Sequence, residues 1–201
     1  IKMHVHISTG NKKMGQIPSV SLPAVSTCRT CRCNAKCYAK RIERIRPNVA
    51  KAYQENFDLY LHNPQQYWRE IEAHIMLTQD FRFHVGGDIV NYAYLLEMIR
   101  IAKNHPHCQI LCFTKKDYLV NMYVRDNGYP PSNLKIIFSA WEGFIPRNPY
   151  HFPEAHVIYR DGSTTAPDGA MTCEGNCVEC AIHNGGCWTL QKGQAIKFHE
   201  H

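Results

Sequence analysis

Two tight groups of cysteines constrain this chain more than any other feature of its sequence. The N-terminal cysteine group comprises Cys28, Cys31, Cys33 and Cys37, and the C-terminal cysteine group comprises Cys173, Cys177, Cys180 and Cys187. Four thiols this close in sequence cannot all pair locally without strain, but they can converge on one metal ion or one iron–sulfur cluster. The sequence therefore predicts two metal centres. Of the ten cysteines, only Cys108 and Cys112 lie outside the two groups, and we expect these two to be apolar core thiols.

Disulfides are the alternative use of an even number of cysteines. A secreted protein with five disulfides would normally be richer in cysteine, at roughly 8–10% of its residues, and its spacings would not resemble those of metal ligands. The sequence shows no charged-then-apolar signal segment and no apolar stretch of about 18–20 residues. We therefore expect a reducing, cytoplasmic environment, with no membrane partner.

The spacing of the C-terminal cysteine group, C-x3-C-x2-C-x6-C, bears on the kind of metal. Zinc sites typically use two paired cysteine arms some distance apart. Three closely spaced thiols with a fourth one loop away favour a [4Fe–4S] cluster, because this grouping resembles that of ferredoxins. Zinc stays the alternative metal.

The N-terminal cysteine group contains one thiol more than a three-ligand site needs. If three of its cysteines hold a four-iron cluster, one iron keeps an open position at which a substrate or cofactor can bind. If all four are ligands, the site is closed and serves electron transfer or structure. The spacing does not decide whether Cys31 is a ligand.

The middle of the chain alternates strand-like and helix-like segments. Strands are predicted over 81–85, 109–113, 134–138 and 156–159, and helices over 91–103 and 117–125. Upstream, helices are predicted over 35–46, 47–62 and 64–77, and short strands over 2–8 and 18–24. Near-continuous apolar strands that alternate with helices indicate a parallel sheet covered by helices.

The strands are too few for a closed eight-stranded barrel, which typically takes about 250 residues. We therefore predict an α/β fold, a partial, open TIM-like barrel with mostly parallel strands. Residues 1–165 are expected to form it, and residues 166–201 a small cysteine-rich metal-binding segment packed on it.

Polar residues follow three successive predicted strands, at the edge where α/β sheets and barrels bind their ligands. The candidates are Gly86, Gly87 and Asp88 after the first strand, Lys115 after the second and Ser139 after the third. Paired glycines allow a ligand to approach the backbone, and a carboxylate accepts hydrogen bonds from an ammonium group. Taken alone, Gly-Gly-Asp is a weak signal that more often marks a simple turn between a strand and a helix.

An ordered series of short motifs runs along nearly the whole chain. It comprises STGNKKMG over 8–15, IPSVSLPA over 17–24, TC over 27–28, CYA over 37–39, NV over 48–49, FRFHVGGD over 81–88, FTK over 113–115, CVEC over 177–180, CW over 187–188 and IKF over 196–198. This series resembles the phage gene-product-88 family. That family in turn is similar to radical S-adenosylmethionine enzymes, which hold a three-cysteine [4Fe–4S] cluster in a partial α/β barrel.

The resemblance implies a role for each candidate residue. Cys28, Cys33 and Cys37 would hold the first cluster, and the C-terminal cysteine group would hold an auxiliary one. Gly86, Gly87 and Asp88 would take the place of a Gly-Gly-Glu strand end that holds the amino group of S-adenosylmethionine, with Ser139 also at the cofactor. Lys115 would be the catalytic candidate, in contact with the cofactor carboxylate or the substrate. A flavodoxin or ferredoxin would supply electrons.

The chain also departs from the radical S-adenosylmethionine pattern. The usual cysteine spacing is C-x3-C-x2-C, which no three cysteines of the N-terminal group reproduce. Asp88 stands where the pattern has Glu and is one methylene shorter.

These observations leave three functions open. The first is a radical S-adenosylmethionine-like enzyme acting on a nucleic acid, nucleotide or peptide in the cytoplasm of a bacterial host. The second is a zinc or iron–sulfur module that binds nucleic acid through the basic helix after Cys37, in a chain with a net charge of +6. The third is a two-cluster electron-transfer protein.

Overall fold

Eight strands and seven α-helices make up the part of the chain that the computed structural model describes, residues 3–12, 14–28, 37–183 and 185–200. The strands are β1 Ile7–Ser8, β2 Ser19–Val20, β3 Asp80–Phe83, β4 Gln109–Thr114, β5 Leu134–Ser139, β6 Glu154–Ile158, β7 Met171–Thr172 and β8 Ala195–His199. The helices are α1 Ala24–Cys28, α2 Tyr38–Ile45, α3 Pro47–His62, α4 Pro64–Ile75, α5 Tyr92–Asn104, α6 Asp117–Asn127 and α7 Cys177–Ile182. A short 3-10 turn spans Gly186–Trp188.

All eight strands form one sheet in the order β1-β2-β3-β4-β5-β6-β8-β7. Every neighbouring pair is parallel except β1 with β2. The order places β3, β4 and β5 side by side, joined through α5 and α6. The prediction of a mixed α/β fold with mostly parallel strands is confirmed. The sheet is open, and its expected curvature into a partial barrel stays a prediction.

Capping side chains and prolines in the local sequence determine where the central helices begin. The side chain of Asn91 accepts a hydrogen bond from the backbone N–H of Tyr94 and so caps α5, and Asn63 caps α4 in the same way. Proline stands at the first turn of α3 and of α4, where the missing N–H costs nothing. These signals explain why the predicted starts of α3, α4 and α5 lie within one residue of the observed ones, whereas α2, predicted from residue 35, begins at Tyr38.

The two faces of the sheet pack against different partners. Ile110 and Cys112 of β4 belong to the main core, which α3, α4, α5 and α6 cover. Leu111, which lies between them, belongs to a second cluster with Ile137 and Ile196. Because side chains alternate along a strand, the two clusters lie on opposite faces of the sheet. The second face is covered by the C-terminal segment, through Cys173, Cys187, Trp188 and Leu190.

Cys108 and Cys112 are both fully buried, and Cys112 belongs to the main core beside Ile136 of β5. The prediction that they are core thiols is confirmed.

Two predicted strands near the start of the chain differ from the observed elements. Within 18–24, only Ser19–Val20 pairs with the sheet, and within 2–8 only Ile7–Ser8 does. A helix begins at Ala24, because both the backbone N–H and the hydroxyl of Thr27 donate to the carbonyl oxygen of Pro23.

Strands β7 and β8 lie in the C-terminal segment, and β8 pairs with β6 of the preceding part of the chain. The expected boundary between residues 165 and 166 stays a prediction. Among the described residues, no helix is both long enough and apolar enough to cross a bilayer.

Candidate functional site

A cavity of about 800 Å³ lies against the second face of the sheet, opposite the main helices. Its floor includes Leu111 and Phe113 of β4 and Ile196 of β8. At the carboxyl ends of β3, β4 and β5, the cavity is lined by Gly87, Asp88, Thr114, Lys115 and Ser139. The predicted strand-end residues other than Gly86 therefore meet at one ligand-sized space.

One side of the cavity carries the described part of the N-terminal cysteine group. Cys28, the last residue of α1, and Cys37, which precedes α2, both line the cavity. Burial, and after it the nearby charge of Asp88, raise the pKa of the Cys28 thiol to about 11. The positive charge of Lys115 acts in the opposite direction. Cys28 is therefore close enough to Asp88, Lys115 and Cys37 for their charges to act on its thiol. Cys31 and Cys33 lie outside the described residues.

All four members of the C-terminal cysteine group line the same cavity. Cys173 follows β7, Cys177 and Cys180 lie in α7, and Cys187 lies in the 3-10 turn. Burial is the main cause that raises the pKa of Cys187 to about 12, and the nearby Cys173 thiol is the next. Burial and Cys173 also raise the pKa of Cys180.

A glycine allows two of these elements to approach each other. Gly186 has a φ of 57°, and a Cβ there would lie 2.7 Å from the sulfur of Cys180. The backbone N–H of Gly185 also donates to the carbonyl oxygen of Cys180 at 2.7 Å. The 3-10 turn therefore packs directly on the Cys180 thiol, and a larger residue at position 186 would displace that thiol.

The described thiols show no site for a single metal ion. Among the described residues, no three His, Cys, Asp or Glu side chains converge closely enough to hold one, so the two predicted metal centres are not shown. A single zinc ion, with Zn–S bonds of about 2.3 Å, would need its thiolates within roughly 4 Å of one another. No disulfide joins any of the eight described cysteines.

Asp88 is held by three hydrogen bonds. Its Oδ1 accepts from the backbone N–H of Ile89 at 2.7 Å and from the hydroxyl of Thr114 at 2.6 Å, and its Oδ2 accepts from the backbone N–H of Lys115 at 3.0 Å. The backbone N–H of Asp88 itself donates to the hydroxyl of Thr27. This carboxylate ties the turn after β3 to the end of β4, and only one acceptor position of Oδ2 is left for a ligand.

The two glycines before Asp88 fit tight neighbours. Gly87 has a φ of 83°, and a Cβ there would lie 2.6 Å from the carbonyl oxygen of Leu22. A Cβ at Gly86 would lie 2.6 Å from the ring of Tyr53. Gly87 lines the cavity, whereas Gly86 is not among its described lining residues. The packing of the turn therefore accounts for both glycines without a ligand.

Two lysines follow β4, and they differ in their contacts. Lys115, the predicted catalytic residue, lines the cavity. The ammonium of Lys116 instead donates to the backbone carbonyls of Ile89 and Val90. Lys116 therefore holds the segment after Asp88, and Lys115 is the lysine placed for a ligand.

The sequence analysis did not identify Arg82, on β3, or His84, just after β3, as residues of the cavity. His84 has a φ of 61°, and its Nε2 lies 3.1 Å from the hydroxyl of Tyr94. Burial lowers the pKa of His84 to about 3, so the ring is neutral. The alternation Phe81-Arg82-Phe83-His84 was the signal, since period 2 places Arg82 on the face opposite the two phenylalanines.

Residues 4–194 match a family described as gene product 88. The chain belongs to the gene product 88 family. The match covers almost the whole chain and confirms the resemblance to this phage family that the motifs indicated. No curated protein and no solved structure matches this gene product 88 protein.

Proposed function

We propose that this gene product 88 protein is an iron–sulfur enzyme of the radical S-adenosylmethionine type. One observation carries the proposal. Thiols of both cysteine groups and the ends of three neighbouring parallel strands line a single cavity of about 800 Å³. That volume falls within the roughly 300–1,000 Å³ typical of small-molecule and cofactor sites.

The donor set suits iron–sulfur clusters. Six described cysteines line the cavity, and four of them belong to the C-terminal cysteine group. A four-iron cluster is larger than one ion, so it can be held by thiolates that lie further apart than the ligands of a zinc ion. Cys28 and Cys37, with Cys33, would hold the first cluster, and the C-terminal cysteine group the second.

The bound groups would supply the chemistry that the chain lacks: one electron from the first cluster would cleave S-adenosylmethionine and generate a carbon radical. The chain itself provides the surroundings. Asp88 fixes the turn beside Cys28 through the backbone N–H of Lys115 and the hydroxyl of Thr114. The free acceptor position of Oδ2 is where an ammonium group of the cofactor would donate, and Ser139 lies at the same cavity.

Lys115 would bind an anionic group in this cavity. Its charge already acts on Cys28, which places it on the side of the N-terminal cysteine group. A carboxylate of the cofactor or an anionic group of the substrate there would gain a charge-assisted hydrogen bond. The partly enclosed cavity would strengthen that bond by excluding water.

Reductive cleavage of S-adenosylmethionine tests this function. Protein reconstituted with iron and sulfide without oxygen, and reduced with dithionite, should release 5′-deoxyadenosine, measured by mass spectrometry. Cys37→Ser should lower the yield at least about 100-fold, whereas Cys108→Ala, a core thiol outside both groups, should retain it if the protein stays folded. Equal yields from Cys37→Ser and the wild-type protein, or no release from iron-loaded protein, would refute the function.

One observation favours the second candidate, a nucleic-acid-binding module. Helix α2 buries none of its residues and exposes Lys40, Arg41 and Arg44 beside Cys37. Such a surface suits a phosphate backbone, and binding through it would weaken steeply with added salt. Salt-dependent binding of RNA or DNA that Arg41→Gln with Arg44→Gln abolishes, in protein that does not cleave S-adenosylmethionine, would favour this module.

A further inference from the structure

Arg82 stands on the cavity face of the sheet. Along β3, Phe81 and Phe83 are fully buried in the main core, and Arg82 lies between them on the opposite face. Its register partner on β4 is Leu111, which belongs to the hydrophobic cluster on that second face of the sheet. Arg82 therefore extends from the middle of the sheet into the cavity that both cysteine groups line.

The guanidinium of Arg82 has no acceptor among the described residues. Its Nε is buried without a hydrogen-bond partner, and no described carboxylate forms an ion pair with it. Its one close partner of another kind is the ring of Phe113, whose centroid lies 5.0 Å away. A buried, permanently charged donor costs free energy unless an acceptor compensates it, and a ring face compensates only in part.

Three acidic residues that line the cavity have other hydrogen-bond partners. Asp88 accepts from three donors at the end of β4. Glu179 lies 3.2 Å from the ring of His183, and Glu200 accepts from the backbone N–H of Arg160. The structure thus places a fork of N–H donors at the cavity floor with no described anion of the chain to meet it.

The surroundings of Arg82 describe the ligand that would fit. Arg82 lines the cavity together with Cys187 of the C-terminal cysteine group and His84 just after β3, and its positive charge acts on both. The rings of Phe113, Trp188 and Phe198 line the cavity on the same, second face of the sheet. A molecule with an oxyanion attached to a flat apolar body would use both the fork and the rings.

We propose that Arg82 binds an oxyanion, a phosphate or a carboxylate, of the substrate that occupies this cavity. The proposal rests on the cavity being the ligand site of the proposed function, but not on the presence of clusters or of S-adenosylmethionine. Arg82 and Lys115 then stand on two elements of the same cavity. Arg82 holds the substrate, and Lys115 lies beside the N-terminal cysteine group.

Three probes that share one ring and differ in the head group test the proposal by calorimetric titration of the full chain. Phenyl phosphate and benzoate carry the two oxyanions, and benzyl alcohol is neutral. We expect at least one of the anions to bind at least about 10-fold more tightly than benzyl alcohol. Binding of phenyl phosphate alone identifies a phosphate-bearing substrate, and binding of benzoate alone or of both shows that a carboxylate suffices.

Matched variants assign the effect to Arg82. Arg82→Gln should bind anion and alcohol equally weakly, and Arg82→Lys should bind the anion with intermediate affinity, because it keeps the charge and loses the fork. Arg69→Gln, an exposed arginine on α4 outside the cavity, should bind like the wild-type chain. Denaturant midpoints for all variants show whether they are folded, and Arg82→Gln should unfold no earlier than the wild-type chain.

Three results would overturn the proposal: Arg82→Gln binds the anion as the wild-type chain does, benzyl alcohol binds as tightly as either anion, or neither anion binds. The titration contains no reductant, iron or S-adenosylmethionine. A negative titration would therefore refute the role of Arg82 without refuting the proposed enzyme. Conversely, a chain that contains no iron but binds the anion through Arg82 would refute the enzyme and support the role of Arg82.

Discussion

Replacing Asp88 by Ala should destabilise the whole fold, because this carboxylate joins β3 to β4. The substitution leaves the N–H groups of Ile89 and Lys115 and the hydroxyl of Thr114 without their acceptor. A hydrogen bond to a charged group contributes about 1.5–3 kcal/mol, and an unsatisfied buried donor costs about 1–3 kcal/mol. Cavity water can reach some of these groups, so we expect a loss of about 3–5 kcal/mol in the free energy of unfolding.

Asp88→Asn refines the test. Its amide oxygen can keep the two bonds of Oδ1, while its NH₂ faces the N–H of Lys115, donor against donor. We expect a loss of about 2 kcal/mol, intermediate between wild type and Asp88→Ala. Asp168→Ala, an exposed aspartate, should change stability by no more than about 0.5 kcal/mol.

Urea unfolding followed by circular dichroism measures all three variants. A loss below about 1 kcal/mol for Asp88→Ala would refute the anchoring role and return the carboxylate to ligand binding alone. The result also decides how functional assays are interpreted, because reduced cofactor affinity in Asp88→Ala is meaningful only in protein that is still folded.

Three further predictions concern the frame of the site. Gly87→Ala combines a positive φ with a contact at 2.6 Å and should lower the free energy of unfolding by about 2–4 kcal/mol. Gly162→Ala, at a φ of 82° with no neighbour within 4 Å, should lower it by about 1–2 kcal/mol. Equal losses for the two variants in urea unfolding would argue against the tight turn at Gly87. Because the pKa of His84 falls from 6.5 to about 3 on folding, its stabilising contribution is present above about pH 6.5 and lost as the pH falls toward 3. Between about pH 7.5 and 5 this should cost roughly 2 kcal/mol that His84→Asn does not lose, and an NMR titration showing a charged His84 ring at about pH 5 would contradict it. Asn56→Ala, which removes bonds to the backbone of His6 and Ser21, should lower the free energy of unfolding by about 2–4 kcal/mol, and a thermal midpoint equal to wild type would oppose this.

The central part of the fold could be predicted because its signals are local. The strand predicted over 109–113 and the helix predicted over 91–103 lie within one residue of β4 and α5 at each end. Strands β7 and β8 were missed, since short strands at the end of the chain are defined by pairing with distant partners rather than by their own pattern.

The site was predictable in its members more than in their contacts. Spacing identified the C-terminal cysteine group, and strand ends identified Asp88, Lys115 and Ser139 as residues of one edge. Two of the three donors that hold Asp88 lie 26 and 27 residues further along the chain, so no local pattern could show that most of its acceptor positions are filled. Arg82 could not be assigned to the cavity from the sequence, because the sequence does not show which face of the sheet the helices leave uncovered.

Metal analysis of protein purified without oxygen tests the central claim most directly. The account predicts about eight irons and about eight sulfides per chain, with a broad absorption band near 400 nm that bleaches on reduction. Cys177→Ser with Cys180→Ser should retain about four irons, because it removes two ligands of the second cluster alone. About two zinc ions per colourless chain would contradict the account, and so would an iron content that these substitutions leave unchanged.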